Sequence, residues 1–191
     1  MRRRHRLDMP VRRPRRAAGR DGTGGRHGRV STFALQFAKA AGARVIVTSS
    51  SDEKLARARR LGADEAINYR TTADWGVRAA EIAGGGVDHV VEVGGPATLD
   101  QALAALRYGG EIALVGVLTG FAGPINTAAI LMKAVNLRGV YVGSVADLAS
   151  SLASGIRPVI DDKFEFDRAD DAYARLRSGA HFGKVAITLA A

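Results

Sequence analysis

From Val30 onward the apolar positions switch between helical and strand periods in regular alternation. Val30 to Ala41 reads as a helix with Phe33, Phe37 and Ala40 on one face, ended by Gly42. Arg44 to Thr48 (RVIVT) is short, apolar and β-branched, the pattern of a buried strand. Ser50 to Leu61 follows as a helix stopped by Gly62, with Ser50 and Glu53 spaced as a capping box. Ala66 to Tyr69 predicts an edge strand, Asp74 to Ala83 a helix, Gly84 to Gly86 a turn, and Val87 to Val93 a strand. Pro96 opens a helix to Leu106, at the first helical position where its missing N–H costs nothing. Gly110 to Val117 and Leu137 to Val142 predict strands flanking a helix over Ile125 to Val135. Leu148 to Ala153 and Arg168 to Arg177 predict helices, and Val185 to Leu189 a last strand. Strands alternating with helices imply βαβ units and a parallel sheet.

Composition changes this picture at one end only. The first 30 residues carry eleven arginines and two acids, whereas the remaining 161 residues carry 17 basic and 17 acidic side chains. The net charge of +9 therefore belongs to the leader, and residues 1–29 stand apart from a neutral domain over 30–191. There are no cysteines, which excludes disulfides, thiolate metal sites and thiol nucleophiles. No apolar run approaches a membrane span, and no apolar segment follows the basic N-terminus as in a secretory signal. A cytoplasmic location is the expectation. An Arg-rich, acid-poor leader also suits a transit peptide, although serine is absent from it.

Between leader and first helix lies Gly22-Thr23-Gly24-Gly25-Arg26-His27-Gly28-Arg29. Glycines before a helix let a backbone approach a pyrophosphate, and the helix offers free N–H groups and a positive dipole end. The spacing sought is Gly-x-Gly-x-x-Gly. Starting at Gly22, the last position is His27; starting at Thr23, the first position fails. Alone the run reads equally well as a flexible Gly/Arg linker.

The stretch VSTFALQFAKAAGARVIVTSSSDEKLARARRLGADEAINYR, followed in order by VDHVVEVGG, LRYGGEIALVGVLTG, NLRGVYVGS and HFGKVAI, resembles the medium-chain dehydrogenase/reductase family of zinc-type alcohol dehydrogenases and quinone oxidoreductases. The resemblance covers the family's cofactor domain. It implies an α/β fold, a Rossmann-like doubly wound parallel sheet, and an oxidoreductase transferring hydride between NADPH and a carbonyl, alcohol or activated alkene. In the family the loop runs directly into the helix, so Arg26 to Arg29 read as an insertion. The family's first strand has no apolar counterpart in residues 1–21, and the sheet is expected to lack it. Three or four buried aliphatic side chains would be lost with it, roughly 5–10 kcal/mol of burial. The N-terminal catalytic domain that carries the substrate pocket and most metal ligands has no counterpart either, so turnover by this chain alone is doubtful. An alternative reading frame joined to a true family C-terminal part accounts for both.

The resemblance also implies the cofactor contacts: Gly22, Gly24 and Gly25 in the loop; Ser49, Ser50, Lys54 and Tyr69 around the second strand; Val93, Gly94 and Gly116 at later strand ends; Tyr141 and Val142 near the nicotinamide; Gly183 and Lys184 near the C-terminus. Ser49 stands where NAD-binding relatives carry an acid for the ribose 2′-OH. NADP is therefore expected over NAD, against the plainer reading of Ser50 as a helix cap and Lys54 as a solvated side chain. His5, His27, His89 and His181 are not spaced as metal ligands, so no zinc site and no catalytic residue is assigned. Two other functions stay open: a catalytically inactive cofactor-binding remnant or partner subunit, and an Arg-arm nucleic-acid binder. The neutral domain and the absence of aromatics in the arm weigh against nucleic acid. No membrane partner is expected. A small-molecule substrate requires a catalytic domain from elsewhere, and a homodimer through the sheet edge is implied by resemblance.

Overall fold

The computed structural model describes residues 16–20 and 29–189. Arg44–Ser49 (β2) is buried over five of its six residues, as expected for a strand covered on both faces. Around it stand five further parallel strands in the order β3-β2-β1-β4-β5-β6. These are β1 (Arg16–Arg20), β3 (Glu65–Asn68), β4 (Val87–Glu92), β5 (Leu106–Leu114) and β6 (Asn136–Gly139). Strands are added outward on one side of β1 and then on the other, which makes this the doubly wound arrangement.

The presence of β1 corrects the expectation of a missing strand. RAAGR lacks the apolar run that marks a central strand, yet its backbone pairs with both neighbours: Gly19 lies opposite Val47 on one side and Val91 on the other. Ladder bonds use main-chain groups common to nearly every residue, so pairing does not depend on an apolar sequence. Sheet membership thus extends into the segment expected to be a leader. Gly22, Gly24, Gly25 and the Arg26–Arg29 insertion cannot be placed in the same way, since residues 21–28 lie outside the described residues.

Helices cover both faces. Against one face pack α3 (Trp75–Ala83), α4 (Pro96–Ala105) and α5 (Thr127–Met132), around Ile46, Val90, Leu99, Leu103 and Ile112. Against the other pack α1 (Arg29–Ala40) and α2 (Asp52–Arg60), around Leu35, Val45, Val47 and Leu55. The buried positions of α1 are Thr32 and Leu35, while Phe37 is exposed, so its inner face is rotated from the Phe33/Phe37 stripe. Past β6 the chain forms α6 (Val145–Ala153), then β7 (Ile160–Glu165), a 3₁₀ turn, α7 (Ala169–Ser178) and β8 (Lys184–Thr188). Strands β7 and β8 pair parallel as a separate two-stranded sheet. Phe182 inserts into the α1/α2 core cluster and carries that unit with it.

Candidate functional site: the carboxyl edge of the sheet

In a parallel sheet all strands end at one edge, and in doubly wound folds that edge gathers the ligand contacts. Ser49 is the last residue of β2 and is fully buried; its Oγ accepts from the Ser51 amide at 3.3 Å. Its carbonyl accepts from the Tyr69 amide at 3.0 Å, which joins the ends of β2 and β3. The cap of α2 is Ser51, whose Oγ accepts from the Lys54 amide, and not Ser50 paired with Glu53. The cap thus falls one residue later than the capping-box spacing suggests. Ser50 stays half-buried in the turn between strand and helix. Asp52, at the start of α2, accepts from the Asn68 side-chain amide at 2.8 Å.

Lys54 is placed differently from a solvated side chain. It is buried, and its ammonium donates to the Gly179 carbonyl at 2.6 Å, at the end of α7. Any preference for a 2′-phosphate therefore rests first on the serine turn.

The second group of candidates forms a knot between the loops after β4 and β5. The carbonyl of Glu92 accepts from the amides of Val115 and Gly116. The carbonyl of Gly94 accepts from the Thr119 amide and hydroxyl, both at 2.8 Å. Gly116 passes so close to Val93 that an added Cβ would lie 2.2 Å from the Val93 carbonyl oxygen. Val93 and Gly94 are themselves buried. Beneath them lies the buried carboxylate of Glu92. Its Oε1 accepts from the Gly94 and Gly95 amides and the Thr98 hydroxyl, and its Oε2 meets no hydrogen-bonding partner among the described residues. Glu92, Thr98 and Thr119 carry the turn geometry yet were absent from the sequence expectations. The available signal was an acid ending a valine-rich strand, one residue before two glycines. Next to this knot is an apolar cavity of about 310 Å³, lined by Pro96, Leu99, Leu114, Val117, Phe121 and Ile125.

Tyr141 and Val142 follow β6 and are 94% and 77% exposed, at the same sheet edge but apart from the knot. Gly183 precedes β8, and Lys184 is its first residue. Gly183 has φ of +99° and faces the Val159 carbonyl, where a Cβ would lie at 2.3 Å. The Lys184 ammonium lies 6.0 Å from the Phe33 ring centroid, which places it beside α1. The candidates therefore fall into the serine turn, the β4/β5 knot, the exposed end of β6, and the α1 flank.

Strand order, two helical layers and glycine turns at the carboxyl edge define a Rossmann-like domain. The family model for zinc-binding dehydrogenases matches residues 30–156. A zinc-type alcohol dehydrogenase-like protein of Schizosaccharomyces pombe is 45% identical over 177 residues, covering 88% of this chain and 50% of that protein. Among solved structures, an NAD-dependent alcohol dehydrogenase superposes with a TM-score of 0.79 at 30% identity, over 93% of this chain and 52% of the other. A mycobacterial protein solved with NADPH superposes with a TM-score of 0.72 at 27% identity, over 93% of this chain and 57% of the other. The chain belongs to the zinc-binding dehydrogenase family, within the medium-chain dehydrogenases and reductases. It spans about half the length of the curated relatives it matches.

The family's name implies zinc, and the donor set does not fit it. The chain has no cysteine, and among the described residues no group of three or more His, Asp or Glu side chains could hold a metal ion. No step is assigned to a metal here. Among the described residues no helix is long and apolar enough to cross a membrane.

Proposed function

We propose that this chain is the NADP-binding part of an oxidoreductase that transfers hydride between NADPH and a carbonyl, an alcohol or an activated alkene. The observation that carries the reading is the hydroxyl-only end of β2. Ser49, Ser50 and Ser51 stand where an acid would select NAD, with the first amides of α2 beside them, that of Lys54 taken by the Ser51 hydroxyl. Hydroxyls and amide donors suit a phosphate. Of the two carboxylates in the first turn of α2, Asp52 is directed to Asn68 and Glu53 is exposed to solvent. Bound NADPH supplies the hydride, and the chain's own residues orient it. In this reading the serine turn and Tyr69 hold the adenosine end, and Lys54 steadies the turn from behind through the Gly179 carbonyl. The Val93–Gly95 turn and Gly116 form the wall along the middle of the edge, Tyr141 and Val142 flank the nicotinamide, and Gly183 and Lys184 close the α1 side.

Fluorescence titration of the purified chain tests this. NADPH should bind more tightly than NADH; tighter NADH binding overturns the NADP assignment, and binding of neither overturns the cofactor reading. Substrate-dependent NADPH oxidation then separates an active enzyme from a cofactor-binding partner subunit.

The same reading includes a homodimer through the sheet edge. Among the described residues β6 pairs only with β5, and Phe121, Leu131, Met132 and Tyr141 are more than 70% exposed around it. Sedimentation equilibrium should give twice the chain mass. A Leu137→Pro variant, which removes an N–H from this edge strand, should give the monomer, and a monomeric parent chain would refute the dimer.

A further inference from the structure

The serine turn leads into a helix with little apolar anchorage. Helix α2 reads DEKLARARR, and its buried residues are Lys54, Leu55 and Ala58. Leu55 and Ala58 are its only contributions to the core cluster. Its orientation is therefore decided largely by charged contacts on the flank bearing Lys54 and Arg57, three residues apart and on one face.

Both cations reach the C-terminal unit. Lys54 donates to Gly179 at the end of α7. Arg57 donates to Asp161 of β7, and its guanidinium lies 4.7 Å from the centroid of the Phe182 ring. Asp161 is the hub, with a side chain only 1% exposed. Its Oδ1 accepts from Arg57 Nη1 and from the Phe182 amide at 3.0 Å. Its Oδ2 accepts from Arg175 Nε at 3.1 Å and Nη2 at 2.7 Å. Four N–H groups from α2, α7 and the approach to β8 thus converge on one buried carboxylate. A carboxylate held on both oxygens by guanidinium donors fixes geometry as well as charge.

We propose that Asp161 is a positioning residue for the adenosine end of the bound cofactor: by clamping Arg57 and Arg175 it fixes α2, and with it the Ser49–Ser51 turn. None of the groups involved needs to touch the cofactor. Arg57 lies six residues past the Ser51 cap, about 9 Å along the helix. Loosening that end tilts the amides that face the ribose and its 2′-phosphate. The inference rests on the NADP reading above.

The test uses adenosine 2′,5′-bisphosphate, the adenosine half of NADP, with reduced nicotinamide mononucleotide as the contrasting half and NADPH as the whole. Arg57→Gln leaves Asp161 paired with Arg175 and Phe182, so the fold is retained. It should weaken adenosine 2′,5′-bisphosphate about 5- to 10-fold, a part of what one charge-assisted hydrogen bond is worth, because the loss reaches the ligand only through α2. Arg57→Lys should recover most of that loss, while the mononucleotide is unaffected. Asp161→Asn should behave as Arg57→Gln does, with faster hydrogen exchange at the first amides of α2. Equal weakening of both halves assigns Asp161 a merely structural role and overturns the proposal. Unchanged bisphosphate binding by a folded Arg57→Gln also overturns it. If the parent chain binds neither NADPH nor the bisphosphate, the cofactor reading itself falls, and the inference falls with it.

Discussion

At Glu92 a carboxylate with no exposed surface takes the Gly94 and Gly95 amides and the Thr98 hydroxyl on a single oxygen. The Thr98 hydroxyl also lies 3.0 Å from the Gly95 carbonyl, and with one proton it serves one acceptor at a time. Glycine at 95, with φ of +91°, permits the turn, and the carboxylate at the N-terminal end of α4 holds it there. Glu92→Leu strands two buried amides, and should lower unfolding stability by about 2–6 kcal/mol, since each unmet donor costs about 1–3. Thr98→Val removes one donor and leaves the amides paired, so about 1 kcal/mol is expected. Urea titration of both variants checks the ranking; a Glu92→Leu protein as stable as Thr98→Val would show that the turn is held by something else. Gly116→Ala addresses the neighbouring contact. Its methyl group would meet the Val93 backbone, which has no flexible end to yield, so a loss of about 1–3 kcal/mol is expected in the same assay.

Helix α4 ends against a neighbouring element. The Lys133 ammonium, at the end of α5, donates to the carbonyls of Leu103, Ala104 and Leu106 at 2.7, 3.0 and 2.8 Å. These are the last carbonyls of α4 and its cap, which carry the negative end of the helix dipole. Burial holds the amine's pKa below its ordinary value, so the contact is bought at some desolvation cost. Lys133→Met keeps the apolar stem and removes the donor. It should cost about 2 kcal/mol, or about 4–8 °C in Tm for a chain of this size. An unchanged Tm would mean that water serves those carbonyls equally well. Elements with strong periods were legible in the sequence: β2, α3, β4 and α4 lie within a few residues of their expected bounds. Those that were missed lack the signal for a physical reason. Strand β1 offers two alanines and a glycine between arginines, and its place is set by main-chain pairing on both sides. Strand β7 reads IDDKFE, and the residue that roots it is the buried charge Asp161 rather than an apolar face. The candidate site was named from the family resemblance alone, as positions expected along the sheet edge. Its supports, Glu92 and Asp161, were not, because a buried acid and a solvated one look alike until their donors are assembled around them.

The whole molecule is neutral outside its first 30 residues, and its folded stability nonetheless depends on a few buried charges. Burial alone would raise the Asp161 pKa. The Phe182 amide, Arg175 and Arg57 more than offset this and hold it below the ordinary value of 3.8. Asp64 is held low in the same direction: burial raises it, and Lys39 and the Val45 amide outweigh the effect. Between each folded pKa and 3.8 the unfolded chain binds more protons than the folded one, so stability rises with pH through that window. The contribution is complete above about pH 5 and is lost as pH falls through the folded values. Because Asp161 joins α2 to β7, α7 and β8, its protonation should release the C-terminal unit before the six-stranded sheet unfolds. Trp75 is buried in the α3/α4 core and reports the sheet, whereas the ring resonances of Tyr173 on α7 report the unit. Acid titration should therefore show the Tyr173 resonances changing at higher pH than tryptophan emission. In Arg57→Gln, which has one cation fewer on Asp161, the first transition should move to higher pH and the second should stay. Coincident transitions in both proteins would mean that the C-terminal unit and the sheet unfold as one, with Asp161 holding no separate joint.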